Sequence, residues 1–485
     1  MWLDLLVAVA SGWPGALVLA YSVGVQLLYL TLGLLAFLDA RRELHQQQVA
    51  DRLSLFEGDL APPISVLVPA HNEEPTIVEN IRSLMQLQYP TFEIIVVNDG
   101  SKDRTLEVLT QAFGLRRSYR VLRARIPQHA VHGVYSSPDY PFLVVLDVVN
   151  GGKAAALNLA LAFSRHPLFC AIDADSVLER DTLVRLALPF FFDRRVIATG
   201  GVVRPANGST IHRGQVLTTR LPTGHIARFQ VVEYLRGMLA GRMGWNYVDS
   251  LFVISGALGL FSREVVLAAG GYRTDTVGED MELIMRLHRW SLRQGRRRTV
   301  RFVGSAVAWT ETPASLGVLA RQRARWHQGL AESLWHNHSL LTRERFTFAH
   351  ACAFGVQLFV ELLGPILEIA GYLLCVALLI TGRGDLGFVL LYLGIWMLGG
   401  VLMTPVSIAL ETLVCPRYRR GLDLAGILIY ALIENLGYRQ FTAGCRLFGL
   451  WRFARHDRTW GQMRRRGHRG QDPIEESTAD LSRAA

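Results

Sequence analysis

Three aspartates follow predicted strands in the first half of the chain. Asp99 closes the strand Ile94–Asn98, and Asp173 and Asp175 follow the strand Phe169–Ile172 as Asp-Ala-Asp. Aspartates two residues apart after a strand can present carboxylates at one sheet edge, and Mg²⁺ prefers such oxygens while it bridges to a substrate diphosphate. A solvated turn has the same pattern, so the motif leaves both interpretations open.

Two further carboxylates open a predicted helix. Glu279 and Asp280 follow a glycine and precede the helical segment Met281–Trp290. A carboxylate here could cap the helix, because a helix N-terminus favours negative charge. It could instead act as a general base that removes a proton from an acceptor hydroxyl.

Two basic motifs are candidates for contact with phosphate or sugar. Gly151, Gly152 and Lys153 precede a predicted helix, and glycines with a lysine at a helix N-terminus can contact a phosphate. Their spacing differs from that of Walker A, which gives no support for an NTPase. The motif QRARW at 322–326 could anchor the chain at a membrane interface. Alternatively, its arginine could bind a departing diphosphate while its tryptophan stacks on a sugar ring.

The elements that would position these motifs alternate between strands and helices from about residue 62 to residue 311. The predicted strands are Ile64–Pro69, Phe92–Asn98, Phe142–Leu146 and Phe169–Asp173. The predicted helices between them are Thr76–Leu87, Thr105–Phe113 and Lys153–Phe163. This alternation predicts an α/β domain with a mainly parallel sheet, in which ligands bind beyond the carboxyl ends of the strands.

The composition indicates a membrane protein with a sizeable water-soluble part. Half of the 485 residues are hydrophobic, only 19% are charged, and the mean hydropathy is +0.23. Disordered, coiled-coil and fibrous classes are therefore excluded. The net charge of +10 is carried by arginine, since Lys102 and Lys153 are the only lysines. The basic run Arg452–Arg469 favours anionic lipid headgroups over nucleic acid, and five cysteines without a CxxC pair predict neither disulfides nor a zinc site.

Apolar segments flank the central domain. Ala16–Leu38 is long enough to cross a membrane, and we interpret it as an uncleaved anchor rather than a signal peptide. Arg41 and Arg42 follow it, so the positive-inside rule places the central domain in the cytoplasm. Ala351–Ile380 and Leu386–Val414 are two further membrane-length segments.

The last apolar segment, Leu422–Leu450, contains charged and polar residues. A single crossing would place the arginine-rich tail outside, against the positive-inside rule. A re-entrant or interfacial pair of helices would keep the tail inside, and we favour this arrangement. Charged residues at membrane depth usually line a cavity or pair with each other.

The order and spacing of six motifs resemble those of glycosyltransferase family 2. The motifs are PAHNEE at 69–74, NDGS at 98–101, GGKAAALN at 151–158, DADS at 173–176, GED at 278–280 and QRARW at 322–326. More narrowly, the chain resembles the inverting, membrane-integrated synthases of cellulose, hyaluronan, chitin and poly-N-acetylglucosamine. The resemblance implies a GT-A domain docked on a transmembrane region. The expected domains are an anchor at 1–45, a cytoplasmic GT-A domain at 62–345, membrane or interfacial helices at 346–450 and a basic cytoplasmic tail at 451–485.

For the donor, the resemblance implies a UDP-sugar and a divalent cation, Mg²⁺ or Mn²⁺. Glu73 and Asp99 would hold the uridine end, and Lys153 would lie by the nucleotide and its phosphates. Asp173 would contact the nucleotide-sugar. Asp175 would coordinate the metal that bridges the diphosphate.

For the acceptor, the resemblance implies a catalytic pair formed by Asp280, the general base, and Glu279. Ser255-Gly256, at the end of a likely strand, would belong to the acceptor-facing segment. Three residues of QRARW would cover the diphosphate and shape the acceptor-sugar site, namely Gln322, Arg325 and Trp326.

The expected function is that of an inverting β-glycosyltransferase that uses UDP-GlcNAc or UDP-glucose to extend a polysaccharide at the membrane, processively, for extracellular or biofilm material. The alternative is a non-processive enzyme that adds one sugar to a membrane lipid, and a third hypothesis is an inactive scaffold or transport subunit. Expected partners are a glycan or lipid acceptor, membrane lipids and export or accessory subunits. The expected location is the inner (plasma) membrane, crossed several times. Because the apolar segments after the catalytic domain are few, a self-contained polymer channel is in doubt.

Overall fold

The computed structural model describes residues 13–52, 61–124, 130–212, 215–342, 347–381 and 386–457. The strands are β1 Ile64–Ala70, β2 Phe92–Asp99, β3 Arg116–Ser118, β4 Val131–Ser136, β5 Leu143–Val148, β6 Leu168–Ala171, β7 Val177–Leu178, β8 Val196–Pro205, β9 Thr210–His212, β10 Gln215–Thr218, β11 Gly259–Ser262 and β12 Thr299–Thr310. Most of the predicted basic tail, including Arg464–Arg466, and the loop at 382–385 lie outside the described residues.

The helices in the first part of the chain are α1 Trp13–Arg52, α2 Ile77–Leu84, α3 Thr105–Phe113, α4 Lys153–Phe163, α5 Thr182–Phe192, α6 His225–Tyr234 and α7 Met243–Tyr247. Those that follow are α8 Arg263–Ala268, α9 Glu279–Arg293, α10 Leu316–His336, α11 Ser339–Thr342, α12 Phe348–Val356, α13 Gly364–Thr381, α14 Leu386–Val414, α15 Gly421–Ile433 and α16 Tyr438–Ala454. Two π-helical segments, Leu235–Arg242 and Gln357–Leu362, join α6 to α7 and extend α12.

Ten strands form one mixed sheet in the order β3-β4-β5-β2-β1-β6-β11-β8-β12-β7. The pairs β1–β2, β1–β6, β2–β5 and β8–β12 are parallel, whereas both edges and both pairs of β11 are antiparallel. The predicted α/β domain is thus confirmed, with antiparallel strands that the sequence analysis did not anticipate. The loops after β1, β2 and β6 meet at one end of the sheet, because the carboxyl ends of parallel strands share an edge.

Apolar residues fill both faces of the sheet. Successive residues of β2 alternate between two hydrophobic clusters, since Ile95 belongs to one and Val96 to the other. One cluster packs α2, α3 and α5 on the sheet. The other contains α4, the π-helical segment Leu235–Arg242 and residues of α1 and α14, so these two membrane-length helices pack against the α/β domain through this face.

The predicted helices Thr105–Phe113 and Lys153–Phe163 agree with α3 and α4. The prediction of one span at Ala351–Ile380 is wrong, because the helix breaks at Leu363 and α13 starts afresh. Pro365 lies at the second position of α13, where its missing N–H costs little, whereas inside a continuous helix it would remove a backbone hydrogen bond.

Among the described residues, three helices are long and apolar enough to cross a membrane: Gly15–Arg52, Gly364–Thr381 and Leu386–Val414. The pair α15 and α16 is bent by 63° and forms either a broken span or a re-entrant loop. The chain is therefore a membrane protein, as its composition predicted. The bend is compatible with the favoured re-entrant arrangement.

Candidate active site

Lys153 joins three of the predicted motifs at the carboxyl end of the sheet. It is the first residue of α4, and its Nζ lies 2.6 Å from Asp173 Oδ1 and 3.4 Å from Glu279 Oε1. The same atom lies 3.4 Å from the carbonyl oxygen of Gly256. Burial disfavours the ammonium form, but the neighbouring carboxylates, Asp173 first, outweigh it and raise the pKa of Lys153. A fixed positive charge therefore occupies the centre of the site.

Asp280 is held at both carboxylate oxygens. Oδ2 accepts a hydrogen bond from the backbone N–H of Gly256 at 2.7 Å, and Oδ1 accepts one from the N–H of Met281 at 2.8 Å. Gly278, not Asp280, is the N-cap residue of α9, and no side chain caps this helix. The two contacts therefore fix the orientation of the Asp280 carboxylate without making it a cap. Glu279 is buried, and burial raises the pKa of its carboxyl while Lys153 opposes that effect.

These side chains border a narrow cavity of about 10 Å³. Its lining residues are Lys153, Leu157, Ala171, Ile254, Ser255, Gly256, Gly259, Phe261, Tyr272, Glu279 and Asp280. A Cβ at Gly256 would lie 2.9 Å from Lys153 Nζ and 3.0 Å from Asp280 Oδ2, so a larger residue would displace both. The prediction that Ser255-Gly256 ends a strand is wrong, because residues 251–255 are irregular and β11 begins at Gly259.

Asp173 and Asp175 lie two residues apart after β6, and the charge of Asp173 acts on the carboxyl of Asp175. Burial, and then the charge of Asp173, raise the pKa of Asp175 to about 7. Two hard oxygen donors two residues apart suit a divalent cation, whose charge would favour the ionised form of both. Among the residues that the structure describes, no three His, Cys, Asp or Glu side chains converge into a ready-made metal cage. The donor set therefore fits an ion that takes its remaining ligands from substrate and water.

The two residues predicted to hold the uridine make internal contacts. Asp99 accepts hydrogen bonds from the N–H groups of Gly151 at 2.7 Å and Gly152 at 2.9 Å, and so fixes the loop before Lys153. The buried Glu73 accepts one from the hydroxyl of Thr76 at 2.8 Å. Both line the loops at the carboxyl end of the sheet, and their nucleotide contacts stay predictions.

The QRARW motif lies on α10. Trp326 is 45% exposed, and Arg325 and Gln322 are partly exposed. Arg323 was assigned no role from the sequence. Its side chain is buried and pairs with Glu233 at 2.8 Å. Its guanidinium lies 4.5 Å from the centre of the Trp326 ring. The spacing of three residues was the available signal, because it places Arg323 and Trp326 on one helix face.

Helix α10 packs on the loop that precedes Asp280. A Cβ at Gly329 would lie 2.9 Å from the Cα of Gly278, so the two backbones are in direct contact. Glu332 Oε2 accepts hydrogen bonds from the hydroxyl of Thr276 and the N–H of Val277, both at 2.8 Å. The motif helix is therefore packed directly on the loop that leads into α9.

The family follows from this fold and site together with two family matches. A model described as "Glycosyl transferase family 2" matches residues 65–251, and one described as "Glycosyl transferase family group 2" matches residues 168–398. The chain belongs to glycosyltransferase family 2 and is a glycosyltransferase. The predicted family and the GT-A type of α/β core are confirmed.

Two curated relatives are similar to part of the chain. The poly-beta-1,6-N-acetyl-D-glucosamine synthase of Staphylococcus aureus (strain COL) is 26% identical over 284 residues, which cover 59% of this chain and 57% of that protein. The synthase of the same name from Staphylococcus epidermidis is 26% identical over 271 residues, which cover 56% of this chain and 55% of that protein. The chain thus matches somewhat more than half the length of each of these two relatives.

Two solved structures are also similar. One is a mannosyltransferase from Pyrobaculum calidifontis in complex with GDP-Man and Mn²⁺, with 18% identity, a TM-score of 0.49 and coverage of 84% of this chain and 99% of that chain. The other is residues 1–349 of S. aureus TarS, with 14% identity, a TM-score of 0.40 and coverage of 78% and 91%.

Proposed function

We propose that this chain is an inverting β-glycosyltransferase that transfers a sugar from a UDP-sugar to a growing glycan at the membrane. The observation that carries the proposal is the convergence of Lys153, Glu279 and Asp280 on one cavity at the carboxyl end of the sheet. The names of the curated relatives favour UDP-GlcNAc as donor over UDP-glucose and poly-N-acetylglucosamine as product.

Asp280 is the proposed general base. Its carboxylate borders the cavity with its orientation fixed from both sides, which is the arrangement that proton abstraction from an acceptor hydroxyl requires. The deprotonated hydroxyl attacks the anomeric carbon, the bond to the UDP oxygen breaks, and an α-linked donor gives a β-linkage. Glu279 helps to keep Lys153 charged and in place.

The site must also stabilise the negative charge of the leaving diphosphate. Lys153 and Arg325 supply positive charge, and preorganised charge at the leaving group is usually a large part of catalysis. Asp175, with Asp173 beside it, would hold Mg²⁺ or Mn²⁺, which would offset the negative charge that grows on the diphosphate. Glu73 and Asp99 would contact the uridine, directly or through the loops they fix. Gln322, Trp326 and the Ser255-Gly256 segment would shape the acceptor-sugar site.

The catalytic domain, residues 62–345, is placed in the cytoplasm in this proposal. Arg41 and Arg42 follow the apolar part of α1, and Arg419 and Arg420 follow α14, which the positive-inside rule assigns to the cytoplasmic side. The spans at 346–450 then anchor the domain in an inner (plasma) membrane, and membrane lipids and export or accessory subunits are its proposed partners.

One experiment tests both donor and product. The purified protein in detergent is incubated with radiolabelled UDP-GlcNAc or UDP-glucose and Mn²⁺, with or without lipid acceptors, and the products are sized. We expect a ladder of long products from UDP-GlcNAc and none after addition of EDTA. One short lipid-soluble product would indicate a glycolipid transferase instead of a polymer synthase. No turnover of either donor would contradict the proposed function.

A further inference from the structure

The loop after membrane helix α14 contacts the catalytic domain through one arginine. Arg417 donates hydrogen bonds from Nε to Glu179 Oε1 at 2.8 Å and from Nη2 to Glu179 Oε2. This is the two-pronged pairing that fixes a carboxylate in direction as well as position. Arg417 and Glu179 are 238 positions apart, so the contact joins two separate parts of the chain.

Glu179 ends the segment that carries the proposed metal ligand. It follows Asp175 by four residues, with the two-residue strand β7 between them. Its carboxylate also accepts a hydrogen bond from Trp309 Nε1 at 3.0 Å, and its N–H donates to the carbonyl oxygen of Val307. Lys153 and Asn80 hold the start of this segment, at Asp173 and at the carbonyl oxygen of Ala174. Because β7 pairs with β12 at only two positions, the side-chain contacts of Glu179 hold its other end.

The arginine is itself placed by the end of α14. Glu411, on the last turns of that helix, accepts hydrogen bonds from Arg204 Nη1 at 3.1 Å and from the N–H groups of Arg417 at 2.7 Å and Tyr418 at 3.3 Å. Arg204 and Glu411 are both 2% exposed. Glu411 therefore fixes the loop that contains Arg417, and its buried ion pair with Arg204 attaches the end of α14 to β8.

We infer that Arg417 is a positioning residue for the Asp173–Asp175 segment and sets its affinity for the metal–nucleotide complex. This rests on the proposed function of the same site. Groups that orient a metal ligand without touching the ion typically change metal affinity about 10–100-fold when they are removed. An ordinary surface salt bridge would change it very little.

The test measures Mn²⁺ binding in the presence of UDP by electron paramagnetic resonance, with the full chain in nanodiscs. Arg417→Ala and Glu179→Gln should each weaken binding about tenfold or more. The double variant should bind no more weakly than either single variant, because both remove the same contact. Arg419→Ala is the matched control, since Arg419 is an exposed arginine of the same loop, and it should bind as the wild type does.

Two further results keep the inference falsifiable. If Arg417→Ala does not fold, Arg417→Lys retains the charge without the two-pronged geometry and should also show weakened binding. Wild-type affinity in a folded Arg417→Ala or Arg417→Lys variant would overturn the inference and leave the proposed function intact. Failure of the wild type to bind Mn²⁺ with UDP would overturn the proposed function, and this inference with it.

Discussion

The backbone N–H of Gly256 donates a hydrogen bond to Oδ2 of Asp280 across 2.7 Å. Gly256 lies in an irregular segment between the π-helical region and β11, and Asp280 lies in the first turn of α9. The bond therefore turns the carboxylate toward the cavity, where a side chain on Gly256 would intrude. A carboxylate that is oriented before substrate arrives suits general-base catalysis, because no further ordering is needed.

Asp280→Asn should lower the rate of sugar transfer by about 10²–10⁴-fold, because the amide keeps the shape of the side chain but cannot take a proton. Binding of UDP with Mn²⁺ should change much less than the rate, since Asp280 is not one of the proposed donor ligands. Initial rates with radiolabelled donor and a parallel binding measurement check both expectations. Glu264→Gln, an exposed carboxylate-to-amide change on α8, is the control and should leave the rate unaltered. A wild-type rate in Asp280→Asn would remove this residue from catalysis.

Glu93→Gln should destabilise the catalytic domain without touching the site. The Glu93 side chain is 1% exposed and accepts hydrogen bonds from Ser65, Arg120 and Arg165. We expect a loss of about 1.5–3 kcal/mol in the free energy of unfolding, the range for hydrogen bonds to a charged group. Thermal unfolding of the protein in detergent measures it. Glu107→Gln, whose exposed ion pair with Arg104 lies on the surface, should show no measurable loss.

The same substitution has a defined pH dependence. Burial opposes ionisation of Glu93, but the hydrogen bonds from Ser65 and Arg120 outweigh it and lower the pKa of the carboxyl. A lowered pKa contributes stability that is fully present above the unfolded-state pKa of about 4.3 and is lost as the pH falls through the folded-state value. The stability difference between wild type and Glu93→Gln should therefore be constant from pH 7 to 5 and shrink at lower pH. A difference that grows on acidification would contradict the assignment.

Local sequence patterns were sufficient to predict the elements and motifs whose structure depends on residues near in the chain. Lys153–Phe163 is a helix as predicted, because its periodicity and preceding glycines are local signals. The prediction of a strand that ends at Ser255-Gly256 is wrong, because a short buried apolar run has the same pattern whether or not it pairs. Side-chain partners far apart in sequence, such as Arg417 and Glu179, leave no periodic signal and emerge only from the packed structure.

Glu368→Gln should destabilise the membrane region strongly. Glu368 on α13 pairs with Arg439 on α16, and the arginine also lies 4.1 Å from the centre of the Trp396 ring. Removing one partner leaves a charge unpaired among apolar helices, which costs about 3–5 kcal/mol when the pair is buried. Denaturant unfolding in detergent should show this loss in the free energy of unfolding. The double variant Glu368→Gln/Arg439→Gln should lose less, because it leaves no unpaired charge. Glu361→Gln, which alters a hydrogen bond with Tyr29, is the control with an expected loss of about 1 kcal/mol.

Gly329→Ala should lower the rate of sugar transfer, because the added methyl group would collide with the backbone of Gly278. Its new Cβ would lie 2.9 Å from the Cα of Gly278, and backbone on both sides cannot move aside as a flexible side chain could. Either α10 or the loop before Asp280 must shift, at a cost of about 1–3 kcal/mol for an overpacked contact. Gly317→Ala on the same helix has its nearest neighbour at 3.8 Å, so it should unfold at or slightly above the wild-type temperature with full activity. Alanine adds no charge and no hydrogen-bonding group, so its effect must come from packing. A loss of sugar transfer in Gly329→Ala but not in Gly317→Ala would show that the close packing of α10 on Gly278 positions Asp280. Equal activity of the two variants would show that this close packing is not needed.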